Sequence, residues 1–154
     1  MNWPIKIVSG GQSGVDRAAL DTALAHGIPC GGWCPKGRLA EDGAIAPHYP
    51  LRETPTTVYA ERTAWNVRDS DGTLVLAWGE PSDGTALTVE LALRMGKPCL
   101  VADLAGPWRL DKTADWVETN GIRVLNVAGP RSSKAPTAYE ETRNYLNSLL
   151  DQLG

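Results

Sequence analysis

Apolar and polar positions change rhythm every ten to fifteen residues along this chain. Residues 5–9, "IKIVS", read as a short strand, and residues 15–27, "VDRAALDTALAHG", as a helix closed by Gly27. "IPCGGW", residues 28–33, is a weak second strand. Residues 34–55, "CPKGRLAEDGAIAPHYPLRETP", are rich in turn formers with little periodicity, and a loop of that length is expected to be functional or disordered. A helix is predicted over 56–70, then a near-continuous apolar strand, "GTLVLAW", over 72–78, of the kind buried on both faces. Residues 83–96 read as a helix with a glycine stop, 97–104 as a strand, 111–121 as a short helix and 122–129 as a strand. Residues 136–154 form the last helix, with Pro136 near its start.

Strands alternating with helices predict an α/β fold, a parallel sheet with helices on both faces. No repeat, linker or low-complexity run divides residues 1–154, so a single Rossmann-like domain is expected. No run of eighteen apolar residues offers a membrane span. The start "MNWPIKIV" lacks a basic segment followed by a long apolar one, so a cytoplasmic protein is expected. Cys30, Cys34 and Cys99 make an odd count without disulfide-like spacing and read as reduced thiols rather than metal ligands. A formal charge of −3 argues against a nucleic-acid surface. The basic residues gather instead beside glycine-rich turns, at Arg17, Lys36, Arg38, Arg131 and Lys134, a distribution suited to one small anion.

The first strand ends in "SGGQSG". Gly10, Gly11 and Gly14 permit positive φ and close backbone approach, while Gln12 and Ser13 add side-chain donors. The amide groups of a helix starting there would face an anion. This is no Walker loop, because no lysine follows. Nor does it fit a dinucleotide fold, whose second strand ends in an acidic residue; here that strand ends "GGWCPKG".

Two further turns fall at the same strand ends. "GEPSDGTALTVE" places Ser82, Asp83, Gly84 and Thr85 at a helix start, with Thr85 and Thr88 on one helix face. "NVAGPRSS" supplies Arg131, Ser132 and Ser133 beyond Gly129. In the long segment, Lys36 and Arg38 bring positive charge, and Glu41 and Asp42 negative charge, as a mutually paired surface loop would. Arg62, Asn66 and Asp69 form a polar helix stripe, expected to be solvated, and Asp69 to Asp71 are candidates to reach the strand rim. Asp16 and Arg17 read as structural ion-pair residues.

"GGQSGVDRAAL", "GIPCGGWCPKGRLAEDG", "ERTAWNVRDSDGTLV", "GTALTVELA", "GKP" and "LNVAGPRSS" together resemble the molybdenum carrier family, over about residues 5–150. This is a bacterial branch of the Rossmann-like proteins that also include the algal molybdenum cofactor carrier and the Lonely Guy phosphoribohydrolases. The resemblance implies a homo-oligomer, dimer or tetramer, that carries a small anionic ligand without acid, base or nucleophile. That ligand would be the molybdenum cofactor or molybdate, passed on to molybdoenzymes, with no nucleic-acid or membrane partner. The cradle would comprise Gly10, Gly11, Gln12, Ser13, Gly14, Arg17, Lys36, Arg38, Asp83, Gly84, Thr85, Thr88, Arg131 and Ser132, with Trp33 or Trp65 available to stack on a flat ring. The alternative is a hydrolase of nucleoside monophosphates. Phosphoribohydrolases of the Lonely Guy type carry P-G-G-x-G-T-x-x-E, whereas this chain reads "PSDGTALTVE" with Thr88 at the glutamate position. Glu90, two residues on, is rotated by about 200° from that face. A hydrolase would need another carboxylate, from Asp16, Asp69, Asp71 or Asp83.

Overall fold

The computed structural model describes residues 4–154. In chain order the elements are β1 (Lys6–Val8), α1 (Val15–Ala25), β2 (Cys30–Gly31), β3 (Trp33–Cys34), β4 (Leu39–Ala40), β5 (Gly43–Ala44) and β6 (Arg52–Glu53). They continue as α2 (Tyr59–Arg68), β7 (Gly72–Ala77), α3 (Asp83–Arg94), β8 (Cys99–Asp103), α4 (Leu110–Thr119), β9 (Val124–Ala128) and α5 (Ala138–Leu153). Five strands form the main sheet in the order β2-β1-β9-β7-β8, and every pairing in it is parallel. The expected Rossmann-like α/β fold is the one observed.

Strand order and handedness decide which helix covers which face. The steps β1 to β2 and β8 to β9 run one way across the sheet, whereas β2 to β7 and β7 to β8 run the other way. Right-handed crossovers therefore put α1 and α4 on one face and α2 and α3 on the opposite one. The packing agrees: α5 lies against α1 and α4, and α2 lies against α3.

The two faces differ in chemistry. Ile7, Leu74, Leu76, Leu125 and Val127 point toward α1, α4 and α5, where they join Val15, Val117, Tyr145, Leu146 and Leu149 in the main core. The neighbouring strand positions, Thr73, Val75 and Asn126, point the other way. Thr73 and Asn126 are register partners, and Asn126 Nδ2 donates to Thr73 Oγ1 at 3.2 Å. A partly polar sheet face meets partly polar helix faces. Arg62 and Asn66 of α2, and Thr85 and Thr88 of α3, are buried there. The stripe of Arg62 and Asn66, expected to be solvated, faces inward for this reason.

The turn-rich segment 34–55, expected to be functional or disordered, is ordered. After β2 the chain leaves the main sheet at Gly32, where an added Cβ would lie 2.4 Å from the Ser9 carbonyl oxygen. β3 then pairs with β6, and β4 with β5. Ile45, Tyr49 and Leu51 close over Leu20 and Cys34 as a second, smaller core. Arg38 organises this segment: its guanidinium donates to the carbonyls of Ile45, Ala46, Tyr49 and Leu51 at 3.1, 2.8, 2.9 and 3.3 Å. Strands of two residues show no period, which is why the sequence reads as a loop there.

Candidate anion-binding crevice

Parallel sheets hold ligands at the carboxyl ends of strands, where the direction of strand addition reverses. That reversal falls here around β9, between β1 and β7. A crevice of about 230 Å³ opens at this point. Ala77 and Ala128, ending β7 and β9, form its base. Gln12 and Asp16 enter from the first loop and α1, Tyr59 and Arg62 from α2, residues 80–85 and Thr88 from the start of α3, and residues 129–131 with Lys134 from the loop after β9.

Asp16 and Arg62 make the buried floor. Arg62 reaches over the end of β1, and its Nη1 donates to Gly10 O at 2.9 Å and to Asp16 Oδ2 at 3.4 Å. The Gln12 amide also donates to Asp16, at 3.3 Å. Burial raises the Asp16 carboxyl above its ordinary range, and the neighbouring Arg62 only partly opposes this. Arg62 Nε is buried without a hydrogen-bond partner, although its residue lines the crevice.

The opposite wall is the N-terminus of α3. Its N-cap, Ser82, makes no side-chain capping bond, so no side chain of the cap takes up the first amide groups. Asp83 takes φ 49°, an uncommon region for a non-glycine residue, and Lys134 bridges to it at 3.0 Å across the mouth. Thr88 Oγ1 donates to Gly84 O at 2.9 Å. The lining carries Arg62, Arg131 and Lys134 against Asp16, Glu80 and Asp83. Charges are therefore nearly balanced. An anion placed here would meet oriented donors and cations already engaged in pairs, rather than a diffuse positive field.

Six of the fourteen cradle candidates line the crevice: Gln12, Asp83, Gly84, Thr85, Thr88 and Arg131. Others hold the loops that shape it. Gly10 O accepts from Arg62, and Gly14 (φ 82°) lets its loop approach the chain after β9, where an added Cβ would lie 2.6 Å from Pro130 O. Gly11 (φ 78°) faces the second core: its Cβ would lie 2.6 Å from Leu51 and 2.8 Å from Ile45. Ser13 Oγ donates to Glu41, and the Ser132 amide donates to Ser13 Oγ at 3.1 Å. Arg17 is occupied by Gly11 O, at 3.0 and 3.1 Å, and by Asp42 at 3.1 Å. Arg38 is spent on four carbonyls, and Lys36 is an exposed residue whose amide donates to Thr56 O.

Several pairings differ from those expected. Asp16 pairs with Arg62 and Arg17 with Asp42, so the two neighbours in sequence are not partners of each other. Glu41 and Asp42 bind outward rather than to Lys36 and Arg38. Glu41 accepts from Ser133 Oγ at 2.5 Å and from the Ser133 amide at 3.1 Å, and it lies 3.4 Å from Arg131 Nε. Asp69 to Asp71 lie before β7, at the end of the sheet away from the crevice. Asp71 accepts from the amides of Arg123 and Val124, and Asp69 from Trp33 Nε1. Trp33 and Trp65 meet edge to face at 4.8 Å, and their rings carry Arg52 and Arg68. Cys30, Cys34 and Cys99 are free, with burial pushing each thiol up. Among the described residues no helix is long and apolar enough to cross a membrane.

Sequence reasoning did not place Arg62, Tyr59 or Lys134 in the site. Lys134 belonged to the basic cluster after β9, which was the available signal. Arg62 carried no local signal, because its partners Gly10 and Asp16 are far away in sequence.

A family model describing the circularly permutated YpsA SLOG family matches residues 7–150. The crystal structure of the "Putative molybdenum carrier protein" of Syntrophus aciditrophicus SB is 48% identical to this chain. It covers 95% of this chain and 94% of its own, with a TM-score of 0.91. No curated protein matches the chain. With nearly all of its length matched and its fold shared with that carrier-named structure, the chain belongs to the circularly permutated YpsA SLOG family.

Proposed function

We propose that this protein binds and carries a small anionic ligand containing molybdenum, seated in the crevice between β1, β9 and β7. The observation that carries this reading is the crevice's donor set. The buried Arg62 Nε has no partner, the N-terminus of α3 has no side-chain cap, and Arg131 and Lys134 stand at the rim. The name of the Syntrophus protein, at 48% identity, supplies the molybdenum. The cargo is the molybdenum cofactor, its phosphate on the start of α3 at Gly84, Thr85 and Thr88, or molybdate on the same donors. Gln12, Asp83 and Arg131 complete the seat, and Gly10, Gly11, Ser13, Gly14, Arg17, Arg38 and Ser132 shape it from behind. The protein works in the cytoplasm as a homo-oligomer and delivers its cargo to molybdoenzymes.

The test is equilibrium dialysis of the full chain against molybdate and against anaerobic cofactor, with bound molybdenum counted by mass spectrometry. Arg131→Ala and Lys134→Ala should each weaken uptake by about tenfold or more, the worth of a charge-assisted hydrogen bond. Failure to bind either ligand, or uptake unchanged in the double variant, would overturn the reading.

One observation favours a second reading, hydrolysis of a nucleoside monophosphate. Asp16 lines the crevice and its carboxyl is pushed up by burial, as a general acid requires. Release of free base and ribose 5-phosphate from AMP, lost in Asp16→Asn, would establish it.

A further inference from the structure

The tip of the β4–β5 hairpin consists of two acids, Glu41 and Asp42, between the paired residues Ala40 and Gly43. Carboxylates on such a turn are ordinarily left to water. Here both reach back to loops that build the crevice. Asp42 takes Arg17, which also donates to Gly11 O. Glu41 does more. Its carboxylate accepts from Ser13 Oγ in the first loop, and from the Ser133 hydroxyl and amide in the loop after β9. It also lies 3.4 Å from Arg131 Nε, a buried atom without a hydrogen bond of its own. The Glu41 amide donates to Gln12 Oε1 at 2.8 Å, and the Ser13 amide donates to the same oxygen at 3.1 Å. Segments 28 and 92 residues away in sequence therefore meet on one side chain.

Glu41 does not line the crevice, but two residues it holds do, Gln12 and Arg131. With Gln12 Oε1 taken by two amides, the Nε2 group is the free end, and it makes no hydrogen bond among the described residues. The Arg131 Nη groups make none either, while Nε is turned to Glu41. A carboxylate beside an anion seat opposes the anion by Coulomb repulsion. Orientation offsets that repulsion: a long arginine left free must be ordered when its ligand arrives, and the lost freedom is subtracted from affinity. The Glu41 contacts order it beforehand. We propose that Glu41 is a positioning residue of the crevice, fixing Arg131 through its carboxylate and Gln12 through its amide to receive an oxyanion. The inference rests on the reading of the crevice as an anion seat, and it makes the β4–β5 hairpin a working part of a site that it does not touch.

The sign of one substitution separates positioning from charge. Glu41→Gln removes a negative charge, so a purely electrostatic role would tighten anion binding, whereas a positioning role weakens it. Titration calorimetry of the full chain with molybdate at neutral pH should show affinity lowered by about tenfold in Glu41→Gln. Ser133→Ala keeps the charge and removes one donor to Glu41, and should weaken binding in the same direction by about two- to threefold. In an Arg131→Ala background Glu41→Gln should cost nothing further, because the residue it positions is gone. Nitrogen-15 NMR of the free protein supplies a readout that needs no ligand: Glu41→Gln should shift or broaden the Arg131 Nε–H and Ser133 amide signals, with circular dichroism unchanged. A wild type that binds no molybdate would count against the crevice as a molybdate seat, and the NMR comparison would still decide whether Glu41 holds Arg131. Equal or tighter molybdate binding in Glu41→Gln, a further loss in the Arg131→Ala background, or unmoved Arg131 and Ser133 signals would each overturn the proposal.

Discussion

Arg62→Met tests the link between the crevice floor and stability of the fold. The substitution keeps an apolar stem of similar length but removes the donor to Gly10 O and the counterion of Asp16. Both side chains are buried, at 8% and 6% exposure, so water does not replace what is lost. Breaking a buried pair from one side costs about 3–5 kcal/mol. The upper end is not reached, because Asp16 already binds its proton more readily than an exposed carboxyl and can neutralise. About 3 kcal/mol is expected, which lowers Tm by roughly 6–12 °C in a chain of this size. Asp16→Asn should cost less, and the double variant should be more stable than the sum of the two losses by about 1–3 kcal/mol. The pH dependence has a definite sign. The Asp16 carboxyl is raised on folding, so its favourable contribution is complete below the unfolded value and fades as pH rises through the folded one. Wild type should therefore gain on Asp16→Asn as the solution is acidified from neutrality. Urea denaturation at several pH values measures all of these quantities. An Arg62→Met protein within 0.5 kcal/mol of wild type, about the scatter of surface changes, would refute the reasoning.

Arg38→Ala should destabilise by about 3 kcal/mol, since four carbonyls of residues 45–51 lose their common donor; limited proteolysis should then cut that segment first. Gly14→Ala should cost about 2–3 kcal/mol in thermal unfolding, because a Cβ there would lie 2.6 Å from Pro130 O at φ 82°. Gly84→Ala, whose Cβ would meet nothing, should leave Tm nearly unchanged while lowering ligand uptake, and equal losses of stability at both glycines would contradict the loop packing. Hydrogen bonds from Ser13 and Ser133 hold the Glu41 carboxyl below its ordinary value of 4.5, so its contribution is present above that value and lost as pH falls. Glu41→Gln should accordingly flatten the acid limb of the stability curve.

The order of helices and strands was legible because β7 is buried at all six positions and the helices around it end at glycines or polar turns. Family membership was legible from long motifs in the right order. The crevice was legible in part: the α3 start and the turn after β9 announced themselves through Gly84, Thr85 and Arg131. What stayed hidden depends on distant partners. Arg62 finds Gly10 at the end of another strand, and Arg17 finds Asp42 on the β4–β5 hairpin. The reversed polarity of α2 and α3 was hidden for a related reason. A rule that sends apolar side chains inward fails where the sheet itself presents Thr73 and Asn126.

Anaerobic native mass spectrometry of the full chain, mixed with molybdenum cofactor and excess AMP, tests the carrier reading most directly. The account predicts a cofactor adduct that persists against AMP, leaves AMP intact and is lost in the Arg131→Ala/Lys134→Ala variant. An absent cofactor adduct, or an AMP adduct that decays to ribose 5-phosphate, would contradict it.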